Sequence, residues 1–153
     1  MIPTLVHQER LRAACLLHRG PYQKIAETFA RLEPIAEAAG LFDSPPQLIA
    51  IHHDNPTTVP ASDLRSDAGL LIAESTVVPD GLTEVFLAAG SYAHARHLGP
   101  YDTLPSTWAR LKEFVSVGNG PRRGNGPGYE IYRNNPMTAA PKDLLTDVFI
   151  PTS

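Results

Sequence analysis

The sequence has 153 residues but only one cysteine, one tryptophan and two methionines, and 19% of its residues are charged. A lone cysteine, Cys15, cannot form an internal disulfide, which is typical of proteins in a reducing compartment. The formal net charge is −3, and the sequence has no cluster of basic residues of the kind that binds nucleic acid. It also has no apolar run of the roughly 20 residues that a membrane span needs, and no signal-peptide core. These absences predict a cytoplasmic protein without direct DNA or membrane binding.

One five-residue motif occurs twice in the sequence, as HRGPY at 18–22 and as HLGPY at 97–101. Other short segments repeat in the same order and at nearly the same offset. Because these matches extend across about 50 residues, we interpret the sequence as a tandem duplication. The further matching pairs are ARL at 30–32 and 109–111, DNP at 54–56 and NNP at 134–136, and DLRSD at 63–67 and DLLTD at 143–147.

Each copy follows the pattern strand, motif, helix, strand, strand. Apolar residues at helical spacing follow each motif, and Gly40 and Gly118 are predicted to end the two helices. Pro105 is compatible with the second helix only in its first turn. The helix stripes are Ile25, Phe29, Leu32 and Ala36 in copy one, and Leu104, Trp108, Leu111 and Val115 in copy two. Strands are predicted at 10–18, 47–54, 68–74, 83–87, 91–98, 129–134 and 146–151.

The pattern predicts an α+β fold in which a β-α-β-β unit is duplicated about a pseudo-twofold axis. We expect a single domain over 1–153, with copy one at about 5–75, a linker at about 76–89 and copy two at about 90–153. The strands would form a roughly eight-stranded sheet with both helices on one face. A central ligand groove is expected between the two copies, because pockets commonly form at such interfaces.

Alternation along the strands assigns side chains to the two faces of the sheet. The apolar residues Ile49, Ile51, Tyr129 and Ile131 are expected to face the helices. The residues between and after them should then face away from the helices. This second set consists of Ala50, His52, Glu130 and Tyr132, together with Tyr92, His94 and Arg96 from the strand before the second motif.

The two copies differ in charge at Glu130, because its counterpart in copy one is Ala50. One interpretation is a surface carboxylate paired with Arg133 or Arg96. The other is a partly buried carboxylate ringed by Tyr132, Tyr92 and Trp108, which would suit a cationic or electrophilic ligand. Trp108 also lies on the helix stripe that is predicted to form core.

Three other patterns do not predict catalytic or metal sites. His52 and His53 are adjacent on a strand and point to opposite faces, so they are not expected to chelate a metal together. No nucleophile elbow is present. The glycine-rich segment 118–128 matches no phosphate-binding fingerprint and is expected to be a loop or a flap over the groove. His18 and His97 are predicted to be hydrogen-bonded turn residues, and neither a metal nor a cofactor is expected.

The duplication, the two H-x-G-P-Y motifs, YEIYRNNP at 129–136 and TDVFIP at 146–151 together resemble the GyrI-like small-molecule-binding family. That family includes SbmC-type proteins and the effector-binding domains of AraC- and MerR-type multidrug regulators. The resemblance implies two β-α-β-β units, a ligand groove and a glutamate in a Y-E-x-Y strand, which is Glu130 here. The sequence departs from the regulators in showing no helix-turn-helix segment, so operator binding by that route is not expected.

The resemblance implies a protein that binds or sequesters hydrophobic, cationic or electrophilic compounds. Two alternatives remain open: a hydrolase of electrophilic, cyclopropane-type genotoxins in which Glu130 positions or activates water, and a gyrase-directed protein inhibitor. A protein target or a homodimer is compatible with each. The candidate ligand-binding residues are Glu130, Tyr132, Tyr92, Trp108, His52, His94 and Arg96.

Overall fold

Both H-x-G-P-Y motifs join a strand to a helix through a tight turn. In the computed structural model, which describes residues 2–116 and 120–153, the motif glycines have positive φ angles, +120° at Gly20 and +132° at Gly99. Side-chain-bearing residues rarely adopt such angles, so the turn favours glycine. Short 3₁₀ turns at Tyr22–Lys24 and Tyr101–Thr103 then lead directly into the two helices.

The described residues form two α-helices and eight strands, and they confirm the predicted α+β class and duplicated β-α-β-β unit. The helices are α1 (Ile25–Ala38) and α2 (Leu104–Phe114), and neither is long and apolar enough to cross a membrane. The strands are β1 (Thr4–Gln8), β2 (Leu11–Arg19), β3 (Leu48–His52), β4 (Arg65–Leu71), β5 (Thr83–Leu87), β6 (Gly90–Leu98), β7 (Gly128–Tyr132) and β8 (Leu145–Pro151).

Element bounds agree with the sequence prediction except near β1 and β4. β1 was not predicted, and β4 begins at Arg65, before the expected start at 68. Gly40 follows the end of α1 with a φ of +77° and is confirmed as a helix stop, whereas Gly118 lies outside the described residues. Pro105 lies in the first turn of α2, as its side chain requires.

The chain divides into two compact units that do not coincide with a simple cut between the copies. The first unit is Leu11–Leu87, with antiparallel strands in the order β3-β4-β2-β5. The second unit is Met1–Arg10 with Ala88–Ser153, and its antiparallel order is β1-β6-β8-β7. β1 therefore completes the sheet of the second unit, although it precedes the whole first unit in sequence.

Each helix packs its predicted apolar stripe on the sheet of its own unit. Small residues on the helix-facing side of the central strands, such as Ala14 in β2 and Ala93 and Ala95 in β6, allow this close packing. The core of the second unit contains Ala93, Ala95, Leu104, Trp108, Leu111, Val115, Val148 and Ile150. That of the first contains Ala14, Leu32, Ala36, Leu70 and Leu82.

A buried histidine fixes each helix to the strand before it. In the second unit, His97 Nε2 lies 3.1 Å from Pro100 O, and His97 Nδ1 lies 2.7 Å from Thr107 Oγ1 on α2. A carbonyl oxygen only accepts, so Nε2–H donates to Pro100, and in that tautomer Nδ1 accepts from the threonine hydroxyl. His18 and Thr28 make the equivalent 2.7 Å contact in the first unit, which confirms the predicted role of both histidines.

All five tyrosines are at least partly buried, and most lie in ring pairs. Tyr22 stacks on His52 with ring centroids 4.1 Å apart, and Tyr101 and Tyr132 are 5.3 Å apart. Burial is the main cause that raises the pKa of each phenol above its usual value, Tyr92 and Tyr129 included. Folding therefore holds protons on all five hydroxyl groups.

Replacing Thr107 by valine should destabilise the protein, because the isosteric change leaves the Nδ1 acceptor of buried His97 without its donor. The expected loss is about 1–3 kcal/mol of unfolding free energy, measured by urea denaturation. Thr138→Val, which removes a hydroxyl in an exposed turn, should change the unfolding free energy by much less. Equal stabilities of the two variants would contradict the proposed role of the histidine–threonine bond.

Stability should fall at alkaline pH because the phenols ionise more readily in the unfolded chain. A group whose pKa is raised by folding contributes stability that is present below its unfolded pKa and is lost as pH rises toward its folded pKa. For tyrosine the loss should begin above about pH 10. Denaturant titrations between pH 8 and 11.5 measure it, and Tyr129→Phe should reduce its slope. Native absorbance titration showing all five phenols ionising near 10 would refute the expectation.

Candidate functional site

Glu130 lies on the face of β7 that packs against α2. The indole Nε1–H of Trp108 donates a 2.9 Å hydrogen bond to Glu130 Oε1, and Glu130 is only 5% exposed. The register agrees, because Glu130 pairs with Val148, a residue of the helix-facing core. The prediction that Glu130 and Tyr132 face away from the helices was therefore wrong, as was the interpretation of Glu130 as a surface carboxylate.

Trp108 reaches Glu130 because Gly128, two residues earlier on the same face of β7, leaves room for the indole. A Cβ at position 128 would lie 3.0 Å from Trp108 Cζ3 and 3.1 Å from Cη2. Such distances are tighter than ordinary van der Waals contact, so a larger residue would displace the ring. Trp108 is thus both a core residue, as its helix stripe predicts, and the hydrogen-bond donor to Glu130.

Two tyrosines complete the surroundings of the carboxyl group. Tyr132 hydrogen-bonds to Glu130 through its hydroxyl, and burial followed by the negative charge of Glu130 raises the pKa of Tyr132 well above its usual value. Tyr101 packs against Tyr132, and the pKa of Tyr101 is raised by the same two causes. Both hydroxyl groups therefore remain protonated at neutral pH. We call Trp108, Glu130, Tyr132 and Tyr101 the Glu130 site.

The first unit has a different set of residues at the corresponding positions. The counterparts of Trp108, Gly128 and Glu130 are Phe29, Leu48 and Ala50. His52 occupies the place of Tyr132 and stacks on Tyr22, whereas Tyr132 makes a more distant, tilted contact with Tyr101. The acceptor, the indole donor and the space for the indole thus occur together in the second copy, as expected if they form one functional unit.

Three of the other four candidate residues lie on the opposite face of the second unit's sheet. Tyr92 is buried, and its hydroxyl donates to Ala88 O at 2.6 Å. His94 and Arg96 both bind Asp147. The structure therefore brings together Glu130, Tyr132 and Trp108 but places Tyr92, His94 and Arg96 away from them. His52 belongs to the first unit, in contact with Tyr22.

The face of β7 that points away from α2 is itself buried, although its residues were expected to face the helices. Tyr129 is 0% exposed and Ile131 1%. Tyr129 stacks on Phe149, with ring centroids 5.1 Å apart. When both faces of a strand are buried, alternation of polarity no longer indicates which face meets the helix. This explains why the two faces of β7 were exchanged in the prediction.

Sequence reasoning missed two residues with clear local signals. Tyr101 is the last residue of the second H-x-G-P-Y motif and was expected only to pack at the start of the helix. Asp147 ends the repeated D-L-x-x-D segment, as Asp67 does in the first copy. The repetition of both aspartates was visible, but their position in β4 and β8 required the strand register.

The Glu130 site has the chemistry to recognise a positively charged, aromatic or strongly apolar group. A buried carboxyl group supplies negative charge where water screens it weakly. The faces of an indole and two phenols supply apolar area and attract cations. The Tyr132 hydroxyl also places a proton donor beside the carboxyl group, an arrangement that hydrolytic chemistry requires.

Comparison with known proteins places the whole chain in a protein family. The model of the GyrI-like small molecule binding domain matches residues 1–153. A DNA gyrase inhibitor from Salmonella typhimurium is 27% identical over 151 residues, which covers 95% of each chain.

Three solved structures share the fold at low sequence identity. The EcmrR C-terminal domain superposes with a TM-score of 0.81 at 14% identity, covering 99% of this chain and 97% of that one. A hydrolase from Listeria innocua gives 0.65 at 15%, covering 99% and 91%. A protein solved bound to tetraphenylphosphonium gives 0.62 at 9%, covering 100% and 94%. With a family model that matches its full length, the chain belongs to the GyrI-like small-molecule-binding domain family.

Proposed function

We propose that this protein binds hydrophobic cations or electrophiles, with Glu130 as the residue that meets the positive charge. The observation that carries the proposal is the buried hydrogen bond from Trp108 Nε1 to Glu130 Oε1. It holds a carboxyl group among aromatic rings, at a position where the first copy has Ala50. If Glu130 and Trp108 had only a structural role, the second copy would not need residue types that differ from those of the first.

Charge and shape together favour a bulky cation over a neutral ligand. Burying a carboxylate is costly unless it is hydrogen-bonded or paired with a positive charge. A cation that enters the site supplies that charge, and the rings of Trp108, Tyr101 and Tyr132 contribute cation–π attraction of about 0.5–2 kcal/mol each. The structural neighbour solved with tetraphenylphosphonium is consistent with this ligand class.

Ligand access requires a local rearrangement of side chains. Glu130 is almost fully buried, whereas Tyr101 and Tyr132 are only half-buried. We expect these two rings to move when a ligand enters, since rotamer changes cost far less than shifting β7 or α2. The cost of this movement would be offset by apolar contact with the ligand.

Hydrolysis of an electrophile is the second candidate function. The observation that favours it is the hydrogen bond between the Tyr132 hydroxyl and Glu130. If the carboxyl group and the hydroxyl group act on the same bound ligand, Glu130 would position or activate water while Tyr132 donates a proton to the leaving atom. The structural similarity to a Listeria innocua hydrolase is consistent with this alternative.

Tetraphenylphosphonium should quench or shift the fluorescence of Trp108, which is the sole tryptophan of the chain. Glu130→Gln keeps the shape of the side chain but removes its charge, so the affinity should fall by about tenfold or more. Fluorescence titration of both proteins measures the difference. Glu33→Gln, an exposed position on α1, should leave the affinity unchanged.

Three outcomes separate the hypotheses. Saturable binding that Glu130→Gln weakens supports the ligand-binding function, and turnover of an electrophile that is lost in the same variant supports the hydrolase. Inhibition of DNA gyrase that survives Glu130→Ala would favour the activity named in the Salmonella relative. If no cation binds and the variant behaves as the parent does, the proposed role of Glu130 is wrong.

A further inference from the structure

The strands β1 and β5 are counterparts, and each lies at the edge of its own unit's sheet. β1 lies 79 residues before β5 and pairs with β6 in the register in which β5 pairs with β2. The residue before each strand, Pro3 or Leu82, therefore occupies the same place in its unit. The surroundings of α1 and α2 can be compared through this correspondence.

In the first unit, residues 73–82 cover one side of α1, and we call them the cover segment. Leu82 belongs to the core cluster of this unit, and Val78 packs against that cluster. Gly81 lies against Ile35 of α1, since a Cβ at this glycine would be 3.5 Å from Ile35 Cδ1. The cover segment therefore places two apolar side chains, four residues apart, beside the helix.

Arg12 on β2 holds the cover segment in place. Its Nη1 donates to Ala73 O at 2.7 Å and to Thr76 O at 2.6 Å, and its Nε donates to Glu84 Oε2 at 2.7 Å. The counterpart of Arg12 in the second unit is Ser91, whose short side chain cannot reach several carbonyl oxygens in this way. The cover over α1 therefore belongs to the first copy and is not a general feature of the β-α-β-β unit.

The corresponding place beside α2 is an open cleft of about 480 Å³. Phe114 is the counterpart of Ile35, as Pro3 is the counterpart of Leu82. In the part of the chain that the structure describes, the core cluster of the second unit has no member before Ala93. We call this space the α2 cleft, and it is lined by Pro3, Arg110, Glu113, Phe114 and Gly120.

Apolar side chains near the α2 cleft are exposed. Ile2, next to Pro3, is 81% exposed, and Leu5 on β1 is 54% exposed. Leu5 pairs with Ala93, which belongs to the core beneath α2, so Leu5 lies on the side of the sheet that carries this helix. Phe114 is only half-buried. Exposed apolar side chains grouped beside an open cleft are typical of a surface that binds a partner.

We propose that the α2 cleft docks an extended peptide segment of a partner protein, with two apolar side chains four residues apart, as Val78 and Leu82 are. The first copy supports this occupant, because there a peptide segment of the same kind fills the corresponding place. A small-molecule site encloses most of its ligand. An open cleft instead suits a chain segment that enters at one side and leaves at the other.

The walls of the α2 cleft match such a segment. Pro3 and Phe114 offer apolar surface to its two side chains. An extended segment leaves backbone N–H and C=O groups unpaired, and the exposed carboxylate of Glu113 and guanidinium of Arg110 can bind them. None of these four residues belongs to the Glu130 site, so the docking site is an addition to the proposed ligand-binding function.

A synthetic peptide with the sequence of residues 72–84 is a suitable probe, because it contains the cover segment. Amide NMR spectra of the full chain, titrated with this peptide, should show saturable shifts at Thr4 and at residues 110–114. The peptide that carries Val78→Asp and Leu82→Asp should cause no such shifts, because burying an unpaired carboxylate is costly.

Phe114→Ala should weaken peptide binding about tenfold, because its ring supplies much of the apolar surface of the cleft. Leu17→Ala truncates an exposed leucine of the first unit and, as the matched control, should bind the peptide as the parent does. If Phe114→Ala unfolds, Pro3→Asp tests the same surface by placing a charge where an apolar side chain docks. Glu130→Gln should retain peptide binding, which separates this site from the Glu130 site.

Three results would overturn the proposal. The first is the absence of saturable shifts up to a peptide concentration of about 1 mM, or an equal loss of binding in Leu17→Ala and Phe114→Ala. The second is self-association of the chain that Phe114→Ala abolishes in sedimentation experiments, which would identify a second copy as the occupant. The third is a set of shifts at residues 110–114 with tetraphenylphosphonium but not with the peptide, which would assign the cleft to a small molecule.

Discussion

The hydrogen bond between His97 and Thr107 sets the rotation of α2 on its sheet, and the Glu130 site depends on that rotation. Thr107 immediately precedes Trp108, so fixing the threonine hydroxyl on the strand histidine directs the indole toward β7. Gly128 then admits the ring, and Glu130 accepts its N–H. The same bond in the first unit fixes Thr28, which precedes Phe29, so one scaffold carries different residues in its two copies.

Much of this architecture can be predicted from the sequence, because the duplication allows an element of one copy to be compared with its counterpart in the other. The turns, both helix stripes and every strand except β1 and β5 were predictable from repeated spacing, and β5 was expected as a short strand within the linker. β1 was not predicted, although it lies 79 residues before β5 and pairs with β6 in the register in which β5 pairs with β2. The start of β4 was misplaced because Arg65 and Ser66 pair with the preceding strands despite their polarity.

The candidate site was predictable in its central residue but not in its neighbours. Glu130 stands out because Ala50 is its counterpart, and that comparison needs no structure. Its partners depend on which face of β7 meets α2, and polarity was misleading because Tyr129 and Ile131 are as buried as the core. A donor–acceptor argument would have succeeded where polarity failed, since buried Trp108 and buried Glu130 satisfy each other.

The position of β1 has a consequence for how the chain reaches its native state. Thr4 pairs with His94, so β1 is synthesised long before the strand with which it pairs. The synthesis of the first unit, Leu11–Leu87, is complete before that strand exists, so the unit can fold while β1 is still unpaired. Closing so long a loop is entropically costly and slow. The second unit can therefore complete its sheet only after the first unit has been synthesised.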